Sequence, residues 1–326
     1  MRKSLTMNSI GKTGVSVSSV AFGCASIGNL GQAVSDTQSE QVLQYAWSQG
    51  ISYFDTAPHY GRGLSEQRLG KFLRTLPRDQ YTLSSKVGRV LSPGVTIEEA
   101  DGYIQPLANA VRYDYSAAGI EESFEQSCER LGTSHIDILY VHDIGEYTHG
   151  ADENKRHMSD LFSSGLDQLQ KLKSSGRIKA FGLGVNENQV CLDVMAERPL
   201  DVILLAGRLT LLDRSAEQAL VEKCSSNGTR LVLGGIFNSG ILALGAVPGA
   251  TFDYQPATAD IVTQVQTLQK KVDAYSLPLA TAALHFAKQH PAACSLLIGT
   301  SRVSSLQRNL DALDTELPEG AEQLFR

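Results

Sequence analysis

Short apolar runs rich in β-branched residues alternate along the chain with longer stretches whose apolar positions recur at helical spacing. The runs cover residues 17–23, 51–54, 81–86, 136–141, 180–185, 202–206, 230–234 and 295–299. Each is bounded by turn formers or polar residues, as a buried strand is. Between them, residues 37–48, 65–73, 120–131, 161–174, 187–196, 215–226, 259–274 and 280–288 carry the helical period. Several of these stretches bear terminal signals: Asp36 stands before the first as an N-cap, and Gly132, Gly176 and Gly228 follow others as C-terminal stops.

Strand followed by helix, about eight times over, predicts parallel strands joined by crossover helices. Eight units favour an α/β fold of the closed (β/α)8 TIM barrel type over an open sheet. An open dinucleotide-binding sheet needs a GxGxxG turn after its first strand, whereas the chain there reads Cys24-Ala25-Ser26-Ile27-Gly28-Asn29. Residues 5–17, with Gly11 and Gly14 between β-prone pieces, predict a small hairpin closing the barrel floor. Gly11-Lys12-Thr13 superficially suggests a phosphate loop, but Thr6 occupies the place of its first glycine. Residues 88–118 and 143–158 read as long loops; both follow strands, which puts them at the C-terminal mouth of a barrel. No linker or low-complexity segment interrupts the pattern, so residues 1–326 read as one barrel domain.

Composition narrows the partners. A net charge of −6 with 20% charged residues argues against a nucleic-acid or anionic-membrane surface. No apolar run approaches the ~20 residues of a membrane span, and the start of the chain lacks a secretory apolar core. The expectation is a cytoplasmic protein acting on a small molecule; oligomeric state is not legible. The five cysteines are far apart and form no CxxC pair, so no metal site or disulfide framework is expected, and only Cys24, just beyond a strand, stands apart.

Four ionisable residues fall at or just past strand ends: Asp55, Tyr60, Lys86 and His142. Singly, each has a structural explanation: a turn cap, a rim aromatic, a paired lysine, a core histidine. Together they occupy equivalent positions on three neighbouring strands, and a barrel brings such ends to one mouth. The chemistry suggested is proton transfer coupled to hydride transfer, with Tyr60 as the acid/base. An ammonium beside it lowers a phenol's pKa from about 10, and Asp55 would hold Lys86 charged while His142 fixes the reacting oxygen. A Schiff-base role for Lys86 is disfavoured, because Asp55 opposes the loss of its proton.

These residues carry a resemblance. Phe54-Asp55-Thr56-Ala57-Pro58-His59-Tyr60-Gly61, Ser65-Glu66, Ser85-Lys86-Val87 and Asp137-Ile138-Leu139-Tyr140-Val141-His142 resemble the aldo-keto reductases, and the likeness extends over nearly the whole chain. It implies hydride transfer between NAD or NADP and a carbonyl or alcohol, with Asp55, Tyr60, Lys86 and His142 as the tetrad. It also implies a cofactor site made of Gly299, Thr300, Ser301, Arg302, Ser305 and Asn309 at the adenosine half. Gly234, Gly235, Phe237, Asn238, Ser239 and Gly240 would cover the pyrophosphate, Asn186 would hold the carboxamide, and Leu209 would form an aliphatic floor for the nicotinamide. Gly299 and Ser305 stand where NADP-preferring relatives carry Lys and Arg, which favours NAD.

Arg208-Leu209-Thr210-Leu211-Leu212-Asp213 and residues 234–242 resemble one branch, the L-fucose (D-threo-aldose) 1-dehydrogenases, L-galactose dehydrogenases and pyridoxal 4-dehydrogenases. The resemblance implies oxidation of a cyclic hemiacetal to a lactone, with an aldose ranked first and pyridoxal second. A general aldehyde or ketone reductase and a cofactor-binding regulatory subunit are the alternatives. Candidate substrate contacts are His59, Asp143 and, from the first long loop, Arg112, Tyr113 and Asp114, with Tyr115 and Phe237 as further aromatic faces.

Overall fold

The computed structural model describes Arg2 and residues 5–325. Eight parallel strands close into a barrel in sequence order. They are β1 (Val20–Gly23), β2 (Tyr53–Asp55), β3 (Thr82–Val87), β4 (Ile138–His142), β5 (Ala180–Val185), β6 (Val202–Ala206), β7 (Arg230–Gly234) and β8 (Ala293–Gly299). β8 pairs with β1, placing Gly299 opposite Gly23, and β3 pairs with β4, placing Lys86 opposite Tyr140. Helices follow the strands and pack on the outside, so the expected (β/α)8 architecture is the one observed.

Period-two alternation sorts the strand residues into two cores. One core holds Ala21, Tyr53, Ile138, Tyr140, Ala180, Val202, Leu204, Val232 and Cys294, which fill the barrel lumen together with Ile10, Val15 and Val17. These last three belong to the hairpin of Met7–Ser9 with Ser16–Ser18, which closes the floor as its sequence suggested. The other core holds Phe22, Phe54, Leu83, Leu139, Val141, Leu183 and Leu205 against the helices. Because side chains alternate, Asp55 shares the lumen face with Tyr53, and His142 shares it with Tyr140.

Boundaries differ in instructive places. The first helix is Asp36–Ser48, and its cap is Ser35, whose hydroxyl accepts from the Gln38 N–H, so Asp36 lies inside the helix. Residues 143–158 are not a loop: Glu146–Asp160 is helical, kinked at Gly150, and continues through Leu161–Gly165 into Leu166–Ser174. Its polar sequence buries only Asn154 and His157 and shows no apolar stripe, which is why the helical period was absent there. Within residues 88–118, Arg89–Pro93 pairs with Asn109–Tyr113, and a smaller hairpin pairs Glu99–Ala100 with Tyr103–Ile104. Among the described residues no helix is long and apolar enough to cross a membrane, and no group of three His, Cys, Asp or Glu side chains is placed to hold a metal.

Candidate active site

The C-terminal ends of β2, β3 and β4 bring Asp55, Lys86 and His142 into the top of the lumen. Lys86 Nζ donates to Asp55 Oδ2 at 2.6 Å and to the Thr56 carbonyl at 2.9 Å. The other oxygen of Asp55 accepts from Ser84 Oγ at 2.6 Å, which fixes the carboxylate plane. A polar chain continues below it: Ser84 meets Tyr53 OH at 3.1 Å, and Tyr53 meets Tyr140 OH at 3.0 Å. Gly184, on the neighbouring strand, leaves the space this arrangement uses. A Cβ there would come within 3.3 Å of Tyr140 Cβ and 3.4 Å of Lys86 Cε.

Tyr60 is delivered by the turn after β2. Its main chain lies so close to Gly28 that a Cβ on that glycine would stand 2.8 Å from the Tyr60 carbonyl carbon. The Ser65-Glu66 pair anchors the same turn from behind. Ser65 Oγ donates to the Cys24 carbonyl at 2.8 Å and meets Thr56 Oγ1 at 2.9 Å. Buried Glu66 accepts from Ser85 Oγ at 2.7 Å and from Arg130 Nε at 2.6 Å. That motif is therefore a scaffold tying three strands together. The Tyr60 ring receives Lys86 Nζ 4.6 Å from its centroid and the His142 ring edge-on at 5.9 Å. The four residues singled out in the sequence do converge.

The electrostatics differ from expectation in one respect. Burial, then the charges of Asp55 and Asp143, push the Tyr60 phenol well above its ordinary value. The Lys86 ammonium, paired with Asp55 at 2.6 Å, does not offset that rise, and Arg89 counters part of it. Burial also raises the Asp55 carboxyl, and the Lys86 ammonium and the Ser84 hydroxyl counter part of that rise. Burial, then Arg89 and Lys86, hold His142 well below the usual histidine range and His59 down at about 3. Both rings are thus neutral near neutrality. Cys24 is buried and its thiol is pushed up by burial, so it is no nucleophile.

Of the expected substrate contacts, His59 packs edge-on against His142, with ring centroids 5.8 Å apart, and its Nδ1 is buried without a partner. Asp143 follows β4 directly, with Oδ2 3.4 Å from His142 Nε2 and 2.8 Å from Arg89 Nη2. Tyr113 lies one layer out, stacked on Arg89 and packed against His149. Arg112 pairs with Asp114 and Glu122 at the surface, and Asp114 also accepts from Ser116, so neither residue is aimed at Tyr60. Tyr115 is buried, and its hydroxyl donates to the His142 carbonyl at 2.8 Å, an anchor for β4. Phe237 packs against the outer core.

Two aromatic residues at the site were not foreseen. Tyr103 is buried and lies nearly parallel to Tyr60, with centroids 6.1 Å apart. It arrives there because the 88–118 insertion bridges Leu30 to Tyr103, and because Ile104 donates to the Asn29 carbonyl at 3.0 Å. Tyr254, largely exposed, sits in the turn between Thr251–Phe252 and Gln255–Pro256, and Asn186 beside its phenol counters part of the rise that burial of the hydroxyl causes. Its neighbour Asp253 is clamped by Arg208 at 2.9 and 2.8 Å. Neither tyrosine carries a local motif; each depends on where an irregular segment folds back.

The expected cofactor residues divide into two groups. After β8, residues 299–302 lead into the helix Val303–Asp314, which has no side-chain cap at Arg302, so backbone N–H groups of its first turn are open to an anion. Ser301 accepts from Gln32 Nε2 at 2.9 Å, its carbonyl accepts from Gln38 Nε2 at 3.0 Å, and Arg302 Nη2 reaches Gln32 Oε1 at 3.5 Å. Thr300 Oγ1 accepts from the Arg302 N–H at 3.1 Å, and Ser305 Oγ accepts from Arg308 at 3.0 Å. Asn309 is half-buried one turn further on. Gln32 and Gln38 at this end are additions that no sequence motif marks.

The other group is already engaged. Asn238 is buried, accepts from Thr210 at 2.6 Å and donates to the Gly207 carbonyl at 3.1 Å, so it stitches the loops after β6 and β7 rather than presenting its amide. Ser239 Oγ accepts from the Tyr254 N–H at 2.9 Å. Leu209 is 1% exposed within the outer core and offers no open floor. Gly234 ends β7, and Gly235 and Gly240 follow with φ of 59° and 98°, so what this loop offers a ligand is main chain.

Comparisons with known proteins identify the family and the fold. A family model described as the aldo/keto reductase family matches residues 19–322. The chain is 38% identical to pyridoxal 4-dehydrogenase from Microbacterium luteolum, over 97% of this chain and 95% of the relative. It is 34% identical to D-threo-aldose 1-dehydrogenase from a Pseudomonas species, over 94% and 92%. L-galactose dehydrogenase from Arabidopsis thaliana is 28% identical, over 96% and 89%. Among solved structures, the holo form of an aldo-keto reductase from Bacillus halodurans shares the fold at a TM-score of 0.75 and 22% identity, covering 98% of this chain and 95% of that one. With the family model spanning nearly all of the barrel, the chain belongs to the aldo/keto reductase family.

Proposed function

We propose that this chain is a nicotinamide-dependent oxidoreductase that oxidises the hemiacetal carbon of an aldose to the lactone, with Tyr60 as general acid/base. The observation that carries the reading is the convergence on Tyr60: Lys86 Nζ 4.6 Å from its ring centroid, the Lys86–Asp55 pair at 2.6 Å, and the His142 edge at 5.9 Å. The similarity to D-threo-aldose and L-galactose dehydrogenases supports the substrate class.

The residues present fit a dinucleotide. The uncapped helix start after Arg302, with Ser301, Gln32 and Gln38 beside it, would hold the adenosine half, and the main chain of residues 234–240 would hold the pyrophosphate. Ser305 rather than a cation favours NAD. When bound, the nicotinamide supplies the two-electron hydride acceptor or donor.

In oxidation Tyr60, once it has given up its own proton, takes that of the anomeric hydroxyl as phenolate, and in reduction the phenol gives a proton to the carbonyl oxygen. Lys86, held by Asp55, steadies the charge that develops on the phenolic oxygen. Neutral His142 hydrogen-bonds the reacting oxygen. A positioned acid/base of this kind contributes about 10²–10⁴ in rate. Tyr103, buried beside the Tyr60 ring, limits the access of water to the mouth.

A second reading is oxidation of pyridoxal, favoured by the higher identity to pyridoxal 4-dehydrogenase. Absorbance at 340 nm with NAD+ and NADP+ against L-fucose, L-galactose, D-arabinose and pyridoxal tests both. Reduction of NAD+ by a sugar supports the first reading, and turnover of pyridoxal alone replaces it with the second. Silence with all four, despite cofactor binding, removes both.

A further inference from the structure

Buried polar atoms without partners are uncommon, and each calls for a cause. Of the eight such side-chain atoms among the described residues, four belong to His59, His142 and Arg89: Nδ1 of each histidine, and Nε and Nη1 of the arginine. Arg89 is 3% exposed. It begins the Arg89–Pro93 strand directly after β3, and its carbonyl is held by Ser123 Oγ at 2.9 Å. The guanidinium carbon lies 5.1 Å from the centroid of the Tyr113 ring, which covers it from the solvent side. Only Nη2 has an acceptor, Asp143 Oδ2 at 2.8 Å, and that same oxygen lies 3.4 Å from His142 Nε2. A guanidinium is always charged, and its planar fork has a fixed set of donors. Leaving two of its three nitrogens unmet in a dry wall costs their desolvation with nothing in return.

We propose that Arg89 is a substrate-binding residue. Together with Asp143 it forms a donor–acceptor pair that recognises a neutral, hydroxyl-bearing substrate. Arg89 donates through Nε and Nη1 to an oxygen close to the reacting carbon. Asp143 accepts from a neighbouring hydroxyl through Oδ1, which has no partner among the described residues. This inference rests on reading the Tyr60 site as one that interconverts an alcohol and a carbonyl, and it adds what that site selects. The pair cancels its own charge, as Lys86 and Asp55 do, so an anionic substrate group would meet the Asp143 carboxylate with no net attraction to offset it. A vicinal diol supplies both an acceptor and a donor. A phenolic oxygen beside the reacting carbon supplies the acceptor alone.

The test compares substrate pairs that differ by one oxygen, in the wild type and in Arg89→Lys, which keeps a charge for Asp143 but loses the fork. With oxidised cofactor the pairs are L-galactose against its 2-deoxy analogue, and pyridoxal against 3-deoxypyridoxal, which keeps the hydroxymethyl group that closes the hemiacetal. With reduced cofactor the pair is lactaldehyde against propanal. The wild type should favour the hydroxylated member by about 10- to 100-fold in kcat/KM, the range of a hydrogen bond to a charged group. Arg89→Lys should bring the ratio to within about threefold, with the Kd for cofactor unchanged. Asp143→Asn serves as a second variant should Arg89→Lys fold poorly, and should narrow the diol ratio but not the pyridoxal ratio.

An equal fall for both members of every pair would make Arg89 a merely structural residue and overturn the proposal. Turnover of the lactaldehyde pair alone would remove the hemiacetal reading while still deciding the role of Arg89 by its ratio. If no pair is turned over, calorimetric binding to the cofactor complex decides. Equal affinity for both members, or none for either, overturns the proposal as well.

Discussion

Lys86 Nζ lies 2.6 Å from Asp55 Oδ2, with 2% and 0% of the two side chains exposed. A pair this deeply buried neutralises itself, so the phenol 4.6 Å beyond feels burial more than it feels the ammonium. The lysine therefore matters most once charge develops on the Tyr60 oxygen during reaction, rather than by creating a resting phenolate.

One consequence is energetic. Removing one member of a buried pair leaves the other uncompensated, which typically costs about 3–5 kcal/mol. Asp55→Asn and Lys86→Met should each destabilise the fold by roughly that much, and the double variant by clearly less than the sum. Urea unfolding of the three variants checks this; additive losses would mean the two side chains are not coupled.

A second consequence is a pH dependence of turnover. Because the Tyr60 phenol is raised, the acid form persists through neutrality. The rate of carbonyl reduction should therefore stay flat across neutral pH, while the rate of alcohol oxidation rises with pH as the phenol gives up its proton more readily. Steady-state profiles in both directions decide this. A plateau in oxidation reached below pH 7 would mean that the cofactor complex lowers the phenol far more than the free site suggests.

Stability should also respond to acid, through the histidines. His59 titrates at about 3 in the fold and near 6.5 when unfolded, so the unfolded chain binds more protons between those values. The contribution of His59 is fully present above about pH 6.5 and is lost as pH falls towards 3. His142 is depressed in the same direction and adds to the loss. Urea midpoints measured from pH 7 down to pH 4 should decline steadily, and His59→Asn should flatten part of that slope.

Cofactor choice offers a separate check. Ser305 lies in the first turn of Val303–Asp314, and its hydroxyl accepts from Arg308 at 3.0 Å. Ser305→Arg should strengthen NADP+ binding by about tenfold relative to NAD+, as expected for a new charge-assisted contact to a phosphate. Fluorescence titration with both cofactors measures it; an unchanged ratio would show that residue 305 does not face the ribose 2′ position.

Period-two alternation and turn signals were enough to place Asp55, Lys86 and His142 at one mouth, because those signals act within each strand. Arg89, Tyr103 and Tyr254 were not legible. Their positions depend on how the 88–118 insertion and the Thr251–Pro256 turn fold back, on contacts such as Ile104 N to the Asn29 carbonyl and Arg208 to Asp253. The helix Glu146–Asp160 was missed because it lies on the surface with almost no apolar face. Asn238 and Leu209 show the limit of motif resemblance. The pattern marked the loops after β6 and β7, but within them those two side chains are taken up by Thr210, Gly207 and the outer core.

The most direct test of the account compares the wild type with Tyr60→Phe at 340 nm, with the affinity for oxidised cofactor measured on the same preparations. The change removes one hydroxyl from the residue on which Lys86 and His142 converge. Hemiacetal oxidation should fall by at least about 10²-fold while the Kd for cofactor stays within about twofold. Retained turnover, or loss of cofactor binding in its place, would contradict the assignment of Tyr60 as the proton-transferring group.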